Sequence, residues 1–221
     1  MRLFLLLAGV FFSCHAYAQG TSFKFDFGSG KTAPGYIQIT PESKFSYQIG
    51  YGFDQNSTVE SVDRGGDPLT GDFITGKPFY FSVKLADGNY DVKVIMGDKM
   101  ESSSATIRAE CRRLMIEKAV SIKGNITTVN FTVHVKDSLI RDAAGNVVKK
   151  IKLKGKEIGY LHWDNLLTLE FNGDNPRICS VEITPNKTAT TVFLAGNSTV
   201  VDQDKEPWAA WGQMIPPFFR S

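Results

Sequence analysis

Phe79-Tyr80-Phe81-Ser82-Val83-Lys84-Leu85-Ala86-Asp87-Gly88-Asn89-Tyr90-Asp91-Val92-Lys93-Val94-Ile95-Met96 alternates apolar and polar side chains on either side of a turn. Phe79, Phe81, Val83 and Leu85 fall on one face of an extended chain, and Tyr80, Ser82 and Lys84 on the other. Side chains on a strand repeat every two residues, so this spacing buries one face and leaves the other to solvent. Asp87-Gly88-Asn89 are turn residues, and beyond them Tyr90, Val92, Val94 and Met96 alternate with Asp91, Lys93 and Ile95. The spacing predicts a β-hairpin over 79–96.

The same period recurs outward. Phe23, Phe25 and Phe27 alternate up to Gly28-Ser29-Gly30, and Phe45, Tyr47 and Ile49 repeat the pattern before Gly50. Residues 54–75 are rich in Asp, Gly, Ser and Thr, have little period and read as long loops. Residues 105–110 and 113–117 read as weaker strands around Cys111. Val129, Phe131, Val133 and Val135 mark another strand, as do Leu167, Leu169 and Phe171. Residues 137–157, with their lysine-rich 149–156, read as a solvated hairpin or insertion, with contact to acidic polysaccharide as the lesser alternative. A turn follows at 172–176, and 177–184 gives the last strand, with Ile178, Val181 and Ile183 inward despite an imperfect period. Many short strands, frequent Gly turns and almost no helical period predict a mainly β chain, an antiparallel β-sandwich over about 22–184.

The ends read differently. Met1-Arg2, an apolar run over 3–12 and Ala16-Tyr17-Ala18 before Gln19 predict a secretory signal peptide over 1–18. Cys14 follows Phe12-Ser13 in a loose lipoprotein-box pattern to which Phe11 is a poor fit, so lipid anchoring is the lesser alternative. No later stretch is long and apolar enough to span a membrane. The net charge is +2, with no long basic run interleaved with aromatics, so nucleic acid is not an expected partner. Cys111 and Cys179 either pair or lie buried as small hydrophobes. Cys-x-x-Cys and clustered His are absent, and Asp63, Asp67 and Asp72 make no recognised calcium spacing. No metal or cofactor is expected.

A hinge at 184–189 precedes Thr191-Val192-Phe193-Leu194-Ala195-Gly196-Asn197-Ser198-Thr199-Val200. The apolar β-branched run ending in Gly predicts a buried parallel strand with Ser198 at its C-terminal end. Residues 207–215 predict a short helix stopped by Pro216-Pro217, with Trp208 and Trp211 on one face for core packing or, as the lesser alternative, sugar stacking. Asp202, Asp204 and Glu206 either line a cleft or form a solvated loop. His134 falls on an alternating strand and reads as a surface residue. His162, beside Trp163 and Asp164, reads as local turn packing or a sugar platform.

Gly196-Asn197-Ser198-Thr199, followed by Trp211-Gly212, resembles the first conserved block of the SGNH/GDSL hydrolases, and within them the rhamnogalacturonan acetylesterase-like carbohydrate esterases. The resemblance implies that Ser198 is the nucleophile, that its backbone N–H is an oxyanion donor, and that Gly196, Asn197 and Thr199 lie beside the site. Asn197 stands where the family has an Asp, which is not the triad acid. Phe25-Asp26-Phe27-Gly28-Ser29-Gly30, Tyr51-Gly52-Phe53, Asp87-Gly88-Asn89-Tyr90-Asp91-Val92, Gly159-Tyr160-Leu161-His162-Trp163-Asp164 and Ile178-Cys179-Ser180-Val181-Glu182-Ile183 resemble the galactose-binding-like sandwich that precedes the catalytic domain of bacterial pectin-degrading acetylesterases.

Together these resemblances imply a galactose-binding-like domain over 19–186 and the first strand and helix of an α/β SGNH hydrolase domain over 187–221. They imply a secreted or periplasmic bacterial esterase that takes acetylated pectic polysaccharide or oligosaccharide. The alternative is an accessory sandwich that binds glycan or is purely structural, with Tyr51, Phe53, Tyr160 and Trp163 as possible carbohydrate contacts. The family's triad Asp and His come late in the hydrolase domain. No His follows Ser198 here, so the chain is expected to stop soon after the nucleophile block and to lack full triad catalysis alone.

Overall fold

The computed structural model describes residues 21–219. The expected signal peptide and Cys14 lie outside the described residues. The strands are β1 (Phe23–Phe27), β2 (Ile37–Ile39), β3 (Tyr51–Phe53), β4 (Val59–Asp63), β5 (Asp72–Gly76), β6 (Phe79–Lys84) and β7 (Gly88–Gly97). They continue with β8 (Ser103–Ala109), β9 (Arg113–Ser121), β10 (Ile126–Val135), β11 (Leu139–Arg141), β12 (Val147–Lys150), β13 (Leu166–Asn175) and β14 (Arg177–Pro185). One short helix, α1 (Trp211–Met214), follows.

Two sheets face each other. The first runs β10-β7-β14-β1-β2, with β5 also on β14 and β4 on β5. The second runs β3-β6-β13-β8-β9, and β11 pairs with β12 as a separate ribbon. The pairs are antiparallel except β1–β2, which is parallel. Between the sheets lies one core of inward Phe, Val, Ile and Leu side chains. Phe25 and Phe27 of the first sheet meet Phe81 of the second at ring-centroid distances of 5.1 and 4.9 Å, both edge-to-face.

Residues 79–96 form the two expected strands but not the expected hairpin. β6 pairs with β3 and β13 in the second sheet, whereas β7 pairs with β10 and β14 in the first. The chain arches across the core at Ala86-Asp87, where the Tyr90 hydroxyl donates to the Ala86 carbonyl at 2.9 Å. An arch and a hairpin share turn residues and alternation, because both strands of the arch point their apolar faces into the same core. β13 and β14 are joined in the same way across Pro176.

Other expectations are corrected by pairing. Phe45, Tyr47 and Ile49 form no strand. Only Lys44 bridges to Phe53, the chain turns as Gly50 N–H donates to Ser46, and Tyr47 and Ile49 are 63% and 58% exposed. Residues 54–75 contain β4 and part of β5, a hairpin rather than loops. Their alternation is weak because Val62 and Leu69 pack into a small cluster with Phe73, Ile95 and Cys179, apart from the main core. The imperfect period of 177–184 is a register shift between Ile178 and Ser180, which lets Ile178 and Val181 both face the core.

The expected buried strand within 191–200 does not form. Among the described residues it has no partner strand, and Val192 and Phe193 are 67% and 69% exposed. A parallel strand is buried between neighbouring strands and covered on both faces, and among the described residues no strand flanks this run. The helix over 207–215 contracts to the single turn of α1, which ends before Pro216. Trp208 lies outside it, and Trp208 and Trp211 are 69% and 53% exposed rather than packed.

Candidate functional site

Ser198 sits in a turn organised by its neighbour. Asn197 Oδ1 accepts the Thr199 N–H at 3.0 Å and the Thr199 hydroxyl at 2.7 Å. The N–H groups of Val200 and Val201 donate to the Asn197 carbonyl at 3.0 and 3.1 Å. Asn is suited to this because its short side chain caps its own turn. A Cβ on Gly196 would lie 2.5 Å from Val200 Cγ2, and one on Gly212 would lie 2.3 Å from the Val200 carbonyl oxygen. The Trp211 N–H donates to the Thr199 carbonyl at 3.0 Å. The turn and α1 are therefore clasped at two glycines. Ser198 is exposed, and among the described residues no His or carboxylate hydrogen-bonds its hydroxyl.

The segment after Ser198 lies against the β8–β9 turn. Arg113 Nε donates to Asp202 Oδ2 at 2.8 Å, and Arg108 and Arg112 both reach Glu206 Oε1 at 3.1 Å. Gln213 is fully buried, donating to the carbonyls of Cys111 at 2.7 Å and Gln203 at 2.8 Å. Asp202 and Glu206 thus serve docking. Nothing in the local sequence of 108–113 marked these arginines, because their partners lie 89 to 98 residues away.

Phe53 is fully buried, with its ring against Phe27, Phe79 and Phe81. β3 turns it into the core, so it is not available as a carbohydrate contact. Tyr51 is partly buried and packs its ring on Phe25 at 5.1 Å. Tyr160 and Trp163 flank the His162 ring at 5.6 and 5.2 Å. Burial holds the His162 pKa below the usual imidazole value, and burial pushes the neighbouring Asp164 up to about 6. His134, expected at the surface, is half-buried. Its Nδ1 pairs with Asn89 Oδ1 at 2.8 Å, its ring meets Phe193 edge-on, and burial lowers its pKa.

Cys111 and Cys179 are free and buried, and burial pushes both thiols up to about 12, which leaves them protonated and inert. Among the described residues no three His, Cys, Asp or Glu side chains are placed to hold a metal ion, and no helix is long and apolar enough to cross a membrane. A cavity of about 160 Å³ opens on the second sheet beside Phe45, Asp54, Gln55, Tyr80 and Leu161. At its floor the Ser82 and Thr168 hydroxyls are bonded at 2.9 Å. Tyr80 and Ser82 occupy the outward positions of β6, but their gathering with Asp54 and Leu161 depends on loops that carry no period.

Residues 23–157 match the family described as "Beta-agarase/YXIM esterase-like, galactose-binding domain-like". The chain belongs to this family. It carries the galactose-binding-like β fold, with one short α-helix among the described residues, near the C-terminal end. It is similar to the "Uncharacterized esterase YxiM" of Bacillus subtilis strain 168, at 25% identity over 215 residues, covering 91% of this chain and 48% of that protein. The crystal structure of the YxiM protein from Bacillus subtilis shares the fold, with a TM-score of 0.53 at 23% identity, over 90% of this chain and 52% of that one. The chain spans about half the length of these relatives.

Proposed function

We propose that this chain is part of a secreted SGNH/GDSL carbohydrate esterase that removes acetyl groups from pectic rhamnogalacturonan, with Ser198 as nucleophile. The observation that carries the reading is the Ser198 turn itself. An exposed Ser follows a Gly that closes on Val200, is framed by an Asn-capped turn, and is docked on an esterase-family β domain. The likeness to a protein described as an esterase covers 91% of the chain, so it extends past the β domain into the Ser198 segment.

In this reading residues 1–18 are the signal peptide, 19–186 the galactose-binding-like domain and 187–221 the start of the hydrolase domain. Ser198 Oγ attacks the ester carbonyl, and the Ser198 backbone N–H, beside Gly196, Asn197 and Thr199, stabilises the oxyanion. A Ser hydroxyl needs a base to take its proton. The triad Asp and His would come from the part of the relatives' length that this chain does not span. The test is acetate release from acetylated rhamnogalacturonan by the 221-residue chain and by a protein extended to the length of its relatives, each with and without Ser198→Ala. Turnover only in the extended, Ser198-intact protein supports the reading. Turnover that survives Ser198→Ala refutes it.

A second reading, glycan binding by the β domain, is favoured by the cavity lined by Phe45, Tyr80, Asp54 and Gln55. A ring and converging polar groups are what a sugar site needs. Calorimetry of residues 19–186 against pectic oligosaccharides, with Tyr80→Ala as control, tests it. Absence of heat at millimolar ligand would leave the domain structural.

A further inference from the structure

We propose that Arg112, in the β8–β9 turn, and Arg113, at the start of β9, are positioning residues that hold the Ser198 loop in place, so that the β domain is an integral part of the esterase site. The inference rests on the reading of Ser198 as nucleophile.

The turn is built at a cost. Glu110 and Arg112 both adopt left-handed backbone, at φ +55° and +60°, and neither is glycine. Such conformations persist where the surrounding structure over-determines them, and they cluster at functional sites. Here they flank Cys111 and aim three groups at one segment. The Cys111 carbonyl accepts from Gln213 Nε2 at 2.7 Å. The Arg112 guanidinium donates to the carbonyls of Gln203 at 3.3 Å and Trp208 at 3.0 Å, and to Glu206 at 3.1 Å. Arg113 Nε donates to Asp202 at 2.8 Å, between side chains only 25% and 14% exposed.

These contacts reach Ser198 by a short chain of bonds. Gln203 Nε2 donates to the Ser198 carbonyl at 2.9 Å and to the Val201 carbonyl at 3.0 Å. The Gln203 carbonyl is itself held by Arg112 and by Gln213. Asp202, four residues after Ser198, is fixed by Arg113. The backbone that carries the nucleophile is thus tied to the β domain on both sides of Gln203. The planar, multi-donor guanidinium suits this bracketing, and a lysine offers only a point charge. A displacement of about 1 Å from a change remote from the chemistry can cost roughly 100-fold in rate.

The test has two arms. In the 221-residue chain, Arg112→Ala with Arg113→Ala should make proteolytic cleavage within 187–219 on the order of tenfold faster, with the melting of the β domain unchanged. Asp202→Asn, on the loop side, gives the same result if the arginine variant fails to fold. In a protein extended to the length of its relatives, Arg113→Ala should lower kcat for p-nitrophenyl acetate by roughly 100-fold with KM little changed. The swap of Arg113→Asp with Asp202→Arg should recover at least about tenfold over Arg113→Asp alone. Unchanged cleavage and unchanged kcat would overturn the proposal, as would faster cleavage with unchanged kcat, which would make the contact docking alone. If Ser198→Ala retains full turnover, the nucleophile reading fails while the cleavage arm still reports on the clamp.

Discussion

Gln213 and Cys111, 102 residues apart in sequence, are joined by a 2.7 Å hydrogen bond from the Gln213 side-chain Nε2 to the Cys111 carbonyl. The same amide reaches the Gln203 carbonyl at 2.8 Å, and its Oε1 accepts the Ala210 N–H at 3.3 Å. One buried side chain therefore satisfies polar groups from three places. Gln213→Leu would strand them, at about 1–3 kcal/mol for each buried group left unpaired. We expect faster amide exchange at Trp211, Gln213 and Phe218, with the amides of β7 and β14 unchanged. Equal acceleration throughout the sheets would show that the segment and the β domain unfold as one unit.

Phe81 touches the rings of Phe25, Phe27 and Phe53 at the centre of the core. Truncation to Ala should cost about 3–5 kcal/mol in urea denaturation. Tyr47→Ala, at an exposed ring that the alternation alone placed inward, should stay within about 0.5 kcal/mol. Similar losses for the two would put the core boundary elsewhere.

Asp98 has a fully buried side chain and takes Arg177 at 2.7 Å and Arg64 at 3.1 Å. Arg177 also pairs with Glu101 and lies over the Phe73 ring. Removing the carboxylate leaves a largely buried guanidinium without its buried partner, since Glu101 is mostly exposed. Asp98→Ala should cost about 3–5 kcal/mol, read from the urea midpoint at constant slope. A loss under about 1 kcal/mol would mean that Glu101 or water replaces the lost partner.

Asp26 titrates in the opposite sense from a paired carboxylate. Burial pushes its pKa up to about 6, only partly offset by the Ala33 N–H bonded to Oδ2 at 2.7 Å. A carboxyl raised in the folded state favours the protonated form, so its contribution is full below the unfolded pKa near 3.8 and is lost as pH rises through about 6. Asp26→Asn should gain relative to the native chain between pH 4.5 and 7.5, by on the order of 2 kcal/mol. His134 and His162, both lowered, are common to the two proteins and cancel in the comparison. A difference independent of pH would refute the assignment.

The strands at 79–84, 88–97, 126–135 and 166–171 were legible because Phe81, Val94, Phe131 and Leu169 repeat every second residue and end up inward. The β4–β5 hairpin was not, because Val62 packs in a side cluster rather than on the main core face. Of the candidate site, the exposed Ser in an Asn-capped turn after Gly196 lay in consecutive residues. The arginines that hold its loop did not, and neither did the burial of Phe53, whose alternating neighbours on β3 number too few to show a face.

What the sequence determined by itself was parity: which side chains of the regularly alternating strands point inward, and where Gly and Asn allow the chain to turn. Parity is local, since two-residue alternation is a property of one extended chain. What the tertiary structure decided was partnership. It sent β6 and β7 to opposite sheets, left 191–196 without a strand to pair with, and brought Arg112 and Arg113 to the loop after Ser198. Hydrogen-bond partners and ion pairs depend on residues about 90 positions away, and no local pattern encodes where those will lie.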